Sequence, residues 1–269
     1  MAEALSSLRD RTELQLSIQP GDSYVDGTPE LSDVREAYRK TAYKYDIPQL
    51  FIKRGIRILA NNKKYSLPSN LRKLHYVYVQ GVEFDETELN QVHSSRSKYA
   101  IDKSTDEIII SSEPSSSATQ YTMTNAESAG NSVVIELDST SGLSVGDEIY
   151  LDDATNPEVS YIQSISAGVS ITCRLDSSKS ASTVLYRGKD IIMIAYYRTV
   201  NTLSDAADTT LLPDDFDYYI PFYAAFLAYA RLEQYTEAEK SLQYWTEGLK
   251  EAFLANDKNS TGFSNQFSV

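Results

Sequence analysis

Residues 190–198 read Asp-Ile-Ile-Met-Ile-Ala-Tyr-Tyr-Arg. A run this apolar, bounded by charge, fits a buried strand. Its backbone amides and carbonyls need partners, because unpaired polar groups are costly away from water. The β-prone run Glu107-Ile108-Ile109-Ile110 is expected to pair with it. That pairing would make everything between the two an excursion from the edge of one sheet.

The intervening composition supports an excursion. Residues 115–187 hold 23 Ser and Thr, with 3 basic and 9 acidic residues. Residues 1–114 are near neutral, with 16 basic and 17 acidic residues, whereas residues 188–269 carry 6 and 12. Within 115–187 the pattern is short strands and turns. Residues 132–137 alternate, 141–147 form a turn with Gly142 and Gly146, and 148–151, 159–165, 169–175 and 183–186 follow as strands. About five such strands suggest a small inserted barrel or sandwich, whose closure would hide strand edges.

The flanks carry helices. Residues 2–17 place Leu5, Leu8 and Thr12 on one stripe. Thr28-Pro29-Glu30 opens a second helix with a cap, a first-turn proline and an acid at the positive end. Leu31, Val34, Tyr38, Ala42 and Tyr45 continue it until Pro48. Short strands follow at 50–52, 56–59, 64–68 and 74–79, then a hairpin of 98–101 with 107–110. After residue 198, Phe216, Ile220, Tyr223, Leu227 and Ala230 mark one helix, bent by Pro221. Thr236 and Glu239 have capping-box spacing for a last helix, with Ala238, Leu242, Trp245, Leu249 and Phe253 as its stripe. The expected class is α+β: a helical bundle with a small antiparallel sheet, plus the inserted all-β barrel or sandwich. Residues 1–114 and 188–256 form the core, 115–187 the insert and 257–269 a flexible tail.

Chemistry is sparse. A single cysteine, Cys173, gives no internal disulfide, and two histidines, His75 and His93, leave little for metal binding or base catalysis. The sequence contains no phosphate-loop, dinucleotide, nucleophile-elbow or H-E-x-x-H motif. Asp152-Asp153 would point to opposite faces of a strand, and Asp214-Asp215 suits a helix start. The loop 138–147 lacks the alternating acids of a calcium site. Lys53, Arg54, Arg57, Lys63 and Lys64 form the one basic concentration, which reads as a solvated hairpin or, alternatively, as a contact for an acidic or nucleic-acid partner. No enzyme activity and no cofactor are expected, nor any membrane span. A net charge of −13 argues against clamping nucleic acid. Twenty tyrosines against eight phenylalanines favour protein contacts, since tyrosine buries a ring and keeps a polar tip.

The order of elements resembles the head-to-tail adaptor (connector) proteins of tailed bacteriophages, particularly short-tailed ones. The matching pieces are Leu8-Arg9-Asp10-Arg11 with the Thr28-Pro29 helix, Tyr65-Ser66-Leu67-Pro68-Ser69-Asn70, and residues 192–198. Leu211-Leu212-Pro213-Asp214-Asp215-Phe216 and the final helix from Thr236 complete the set. The likeness covers roughly 1–114 and 188–256; the insert departs from a minimal adaptor.

The resemblance implies a homo-oligomeric ring, commonly a dodecamer, seated between the portal protein and a downstream nozzle or tube protein. It implies a virion protein at the head–tail interface, assembled in the bacterial host cytoplasm, with DNA only as cargo. Tyr38, Phe216, Tyr223 and Trp245 would lie on ring-wall helices, and Phe263, Phe267 and Val269 would anchor a portal-docking tail. The alternative is a tail-completion or fibre-docking protein contacting tail fibres through 115–187. A carbohydrate-binding module is a third reading; it would need an exposed platform from Tyr121, Tyr150, Tyr161 and Tyr186.

Overall fold

A computed structural model describes residues 3–16, 28–92, 96–153, 156–205 and 207–260. The chain divides into two compact units, Met1–Phe51 with Arg198–Val269, and Ile52–Tyr197.

The first unit is helical. It contains α1 (Leu5–Gln15), α2 (Thr28–Lys44), the single turn α3 (Asp214–Asp217), α4 (Ile220–Arg231) and α5 (Tyr235–Ser260). α4 is apolar on nearly every side until Arg231, so it needs neighbours all round. It packs against α1, α2 and α5, and Ala224, Ala225 and Ala228 on its buried face allow close approach. Pro221 lies in the first turn of α4, where its missing amide hydrogen costs nothing. It therefore starts the helix instead of bending it. The N-terminal segment is pinned by a bridge between Ala4 and Thr209 and by Thr210 N–H donating to the Glu3 carbonyl at 3.0 Å. α5 begins one residue before Thr236, with Ala238 N–H bonded to the Gln234 carbonyl, so the capping box falls inside the first turn. It continues to Ser260, through residues 257–260 of the expected flexible tail.

The second unit is built from strands. They are β1 (Phe51–Ile56), β2 (Lys64–Ser66), β3 (Leu71–Val79), β4 (Val82–Glu86), β5 (Lys98–Asp102), β6 (Glu107–Ile110) and β7 (Tyr121–Thr122). There follow β8 (Gly130–Glu136), β9 (Glu148–Asp152), β10 (Glu158–Ser166), β11 (Ser170–Leu175), β12 (Val184–Arg187) and β13 (Ile192–Arg198). One sheet has seven strands in the order β1-β13-β3-β4-β5-β6-β2, the other six in the order β7-β12-β9-β10-β11-β8.

The expected class is thereby corrected: the chain is mostly β, two curled sheets with helices, and not a helical bundle carrying a small antiparallel sheet. The larger sheet is not wholly antiparallel either, since β4 and β5 run parallel with Asp85 opposite Lys98. β4 escaped the sequence reading because Phe84 is its only buried residue, too thin a signal for period-two alternation. β13 does not pair with β6. The two edges of β6 are taken by β5, with Tyr99 opposite Ile110, and by β2, with Tyr65 opposite Ile108. β13 lies between β1 and β3.

The six-stranded sheet returns on itself. Met123 bridges Leu137, and Asp138 N–H donates to the Thr122 carbonyl at 3.0 Å, joining the β7 end to the chain leaving β8. Inside lie Ile135, Ile149, Leu151, Ile162, Ile171 and Cys173. A second core gathers Val77, Ile108, Ile110 and Ile194 of the larger sheet, and Ile58 just past β1, with Tyr150 and Tyr186 of the smaller sheet. The two sheets therefore share apolar packing.

Candidate interaction surfaces of the helical unit

The residues expected on ring-wall helices are mostly interior. Tyr38 is buried; its hydroxyl donates to Asn201 Oδ1 at 2.6 Å and accepts from Leu211 N–H at 3.0 Å. Burial pushes that phenol up to about 12. Phe216 has no exposed surface. Trp245 on α5 is buried and donates Nε1 to Thr41 Oγ1 on α2 at 2.9 Å. Tyr223 is half-buried, its ring 4.6 Å from that of Trp245. Phe263, Phe267 and Val269 lie outside the described residues.

Tyr223 and Trp245 meet at the floor of an open groove of 730 Å³ between α2, α4 and α5. Phe226 and Leu242 extend the apolar floor, and Arg39, Lys40, Tyr43 and Lys44 of α2 form the other wall. α2 spacing explains that wall. Val34, Ala37, Tyr38, Thr41 and Ala42 face inward, which leaves 39, 40, 43 and 44 outward on consecutive turns. Lys44 Nζ stands 5.3 Å from the Trp245 ring centre, a cation–π geometry. The sequence reading missed this wall; the signal was Arg39-Lys40 with Lys44 four and five residues on, in a chain otherwise rich in acids.

A second concavity, of 420 Å³, lies near the C-terminal half of α5 and has the opposite charge. Asp214, Asp215, Tyr218, Tyr219 and Glu251 line it. Tyr218 is 54% exposed, edge-on to Tyr219 at 5.1 Å, with the Arg11 guanidinium 5.1 Å from its ring centre. The α3 turn presents Asp214 and Asp215 because Pro213 precedes it and Phe216 anchors it.

Other sequence candidates fall into structural roles. Lys53 lies 3.9 Å from Glu148 and Lys63 3.5 Å from Glu113, so the basic run is spread among acids. Asp152 accepts from the Tyr150 hydroxyl at 3.3 Å. Asp153 accepts from Ser180 Oγ at 2.9 Å and Thr183 Oγ1 at 3.1 Å, tying a loop. Gly142 and Gly146 have φ of 86° and 88°, a turn conformation that glycine adopts freely. His75 contacts the rings of Tyr76 and Tyr197; His93 lies outside the described residues. Among the described residues no group of three or more His, Cys, Asp or Glu could hold a metal ion, and no helix is long and apolar enough to cross a membrane. Of the four tyrosines that a sugar platform would need, Tyr121, Tyr150 and Tyr186 are buried and only Tyr161 is exposed.

No family model matches the chain, and no curated protein matches it.

Proposed function

We propose that this chain is a virion structural protein, a head-to-tail adaptor. Copies assemble as a ring beneath a portal and join a capsid to a tail, with DNA passing through as cargo. The ordered motifs in residues 1–114 and 188–256 motivate the reading. The observation that carries it is the exposed aromatic surface of the helical unit: Tyr43, Tyr218, Tyr235 and Tyr244, with Leu14 and Leu254. Exposed tyrosines together with a cationic aromatic groove are the composition of protein contact surfaces. A net charge of −13 per copy suits a channel that repels passing DNA.

The test mixes the purified chain with portal protein and reads assembly by negative-stain imaging and sedimentation. The expected result is a ring on the portal, lost when residues 261–269 are removed, a cut that leaves α5 whole. A chain that stays monomeric beside portal, and is indifferent to that cut, overturns the reading.

A fibre-docking role has one observation in its favour: Val134, Val145, Tyr161 and Val169 are exposed on the smaller sheet and its turns. Deleting 115–187 cannot test it, since Tyr150 and Tyr186 belong to the shared core. Charged substitutions at Val134 and Tyr161 can: lost fibres with intact head–tail joining would favour docking.

A further inference from the structure

The helical unit carries two surfaces of matched chemistry and opposite charge. One is the groove with Arg39, Lys40 and Lys44 above a floor of Tyr223, Phe226 and Trp245. The other is the exposed Tyr218 ring flanked by Asp214, Asp215 and Glu251, with Arg11 beside the ring but paired to Glu3. They are centred about nine residues apart along α5, roughly 14 Å. Among the described residues no ion pair engages Arg39, Lys40, Asp215 or Glu251. An aromatic-floored cationic groove favours an aromatic ring accompanied by carboxylates: the ring gains apolar burial and cation–π contact, and the carboxylates meet guanidinium and ammonium groups.

We propose that the groove of one copy receives the acidic Tyr218 surface of a second copy. The two patches differ, so the contact is head-to-tail: each copy offers one patch to each neighbour. Such a contact closes into a ring or runs on as a filament, according to the rotation between copies. The inference rests on the ring reading above and names the surfaces that would make the ring. Like surfaces repel, so the same charges disfavour groove-to-groove and acid-to-acid pairing.

Two charge-reversed variants of the full chain test it, with all four substitutions at exposed positions. The first carries Arg39→Glu and Lys40→Glu; the second carries Asp215→Lys and Glu251→Lys. Circular dichroism checks that each remains folded. Self-association is read by sedimentation velocity across a concentration series at low salt, without portal. Wild type is expected to associate, more weakly as salt rises. Each variant alone should associate at least about tenfold more weakly. An equimolar mixture should recover association, because the acidic groove of one variant then meets the basic Tyr218 surface of the other.

Wild-type chain that stays monomeric throughout, variants that associate like wild type, or a mixture that does not recover would each overturn the inference. Portal added to the same samples separates the two claims. Portal-bound rings from both single variants would sink this interface and keep the adaptor reading. Recovery in the mixture, with no ring on portal for any sample, would keep the interface and sink the adaptor reading.

Discussion

The indole nitrogen of Trp245 on α5 donates to the hydroxyl of Thr41 on α2 at 2.9 Å, with both residues buried. Thr41→Val keeps the shape and removes the acceptor. It leaves a buried N–H without a partner, which costs about 1–3 kcal/mol. Trp245 is the sole tryptophan, so its emission reports on the helical unit directly. The denaturation midpoint followed by that emission should fall, and an unchanged midpoint would show that the bond contributes nothing.

Gly55 on β1 leaves no room for a side chain against Tyr150 of the smaller sheet. A Cβ there would lie 2.5 Å from Tyr150 Cδ1 and 2.6 Å from Ile191 Cδ1. Tyr150 is buried and cannot swing aside. Gly55→Ala should therefore destabilise the strand unit by about 1–3 kcal/mol through overpacking, against the small gain expected of alanine in an open strand. Unfolding followed by far-ultraviolet circular dichroism measures the sign.

Asp217, buried at the end of the α3 turn, accepts from Thr210 Oγ1 at 2.5 Å and from Glu3 N–H at 3.4 Å. Burial is the main cause that raises its carboxyl to about 7, with Glu3 and Asp214 adding repulsion. The unfolded carboxyl releases its proton near 4. Between about pH 4 and pH 7 the unfolded chain has lost a proton that the folded chain keeps. Stability from this group is thus full below about pH 4, falls as pH rises, and is gone above about pH 7. Asp217→Asn should remove this part of the pH slope; equal slopes in the two proteins would refute the assignment.

Cys173 faces the closed core of the smaller sheet, and burial pushes its thiol up to about 11. The reactive species is the thiolate. Ellman's reagent at pH 8 should leave the folded chain unmodified and titrate one thiol after denaturation. Rapid labelling of the folded chain would mean that the sheet opens readily.

Much of the local structure was legible in the sequence. The apolar spacing of α2, the hairpin of β5 and β6, and the turns at Gly142 and Gly146 follow from periodicity and from backbone geometry that few residues adopt. Strands with one inward residue were not legible, as β4 with its lone Phe84 demonstrates. Nor was the Lys179–Glu158 pair, with the ammonium buried and 2.6 Å from the carboxylate, because its partners lie twenty-one positions apart. The groove beside Trp245 was half legible: helical spacing places Arg39, Lys40 and Lys44 outward, but nothing local says that Tyr223 and Phe226 will lie beneath them.

The sequence by itself determined the main helices and the apolar strands with clear periodicity, and that the net negative charge lies after residue 114, where 21 acidic residues face 9 basic ones. Tertiary structure decided where the apolar strand 190–198 goes and how large the sheet becomes. The physical reason is that strand pairing is a competition for edges. β5 and β2 occupy both sides of β6, so β13 is seated between β1 and β3. No periodicity within a strand encodes the identity of its neighbour.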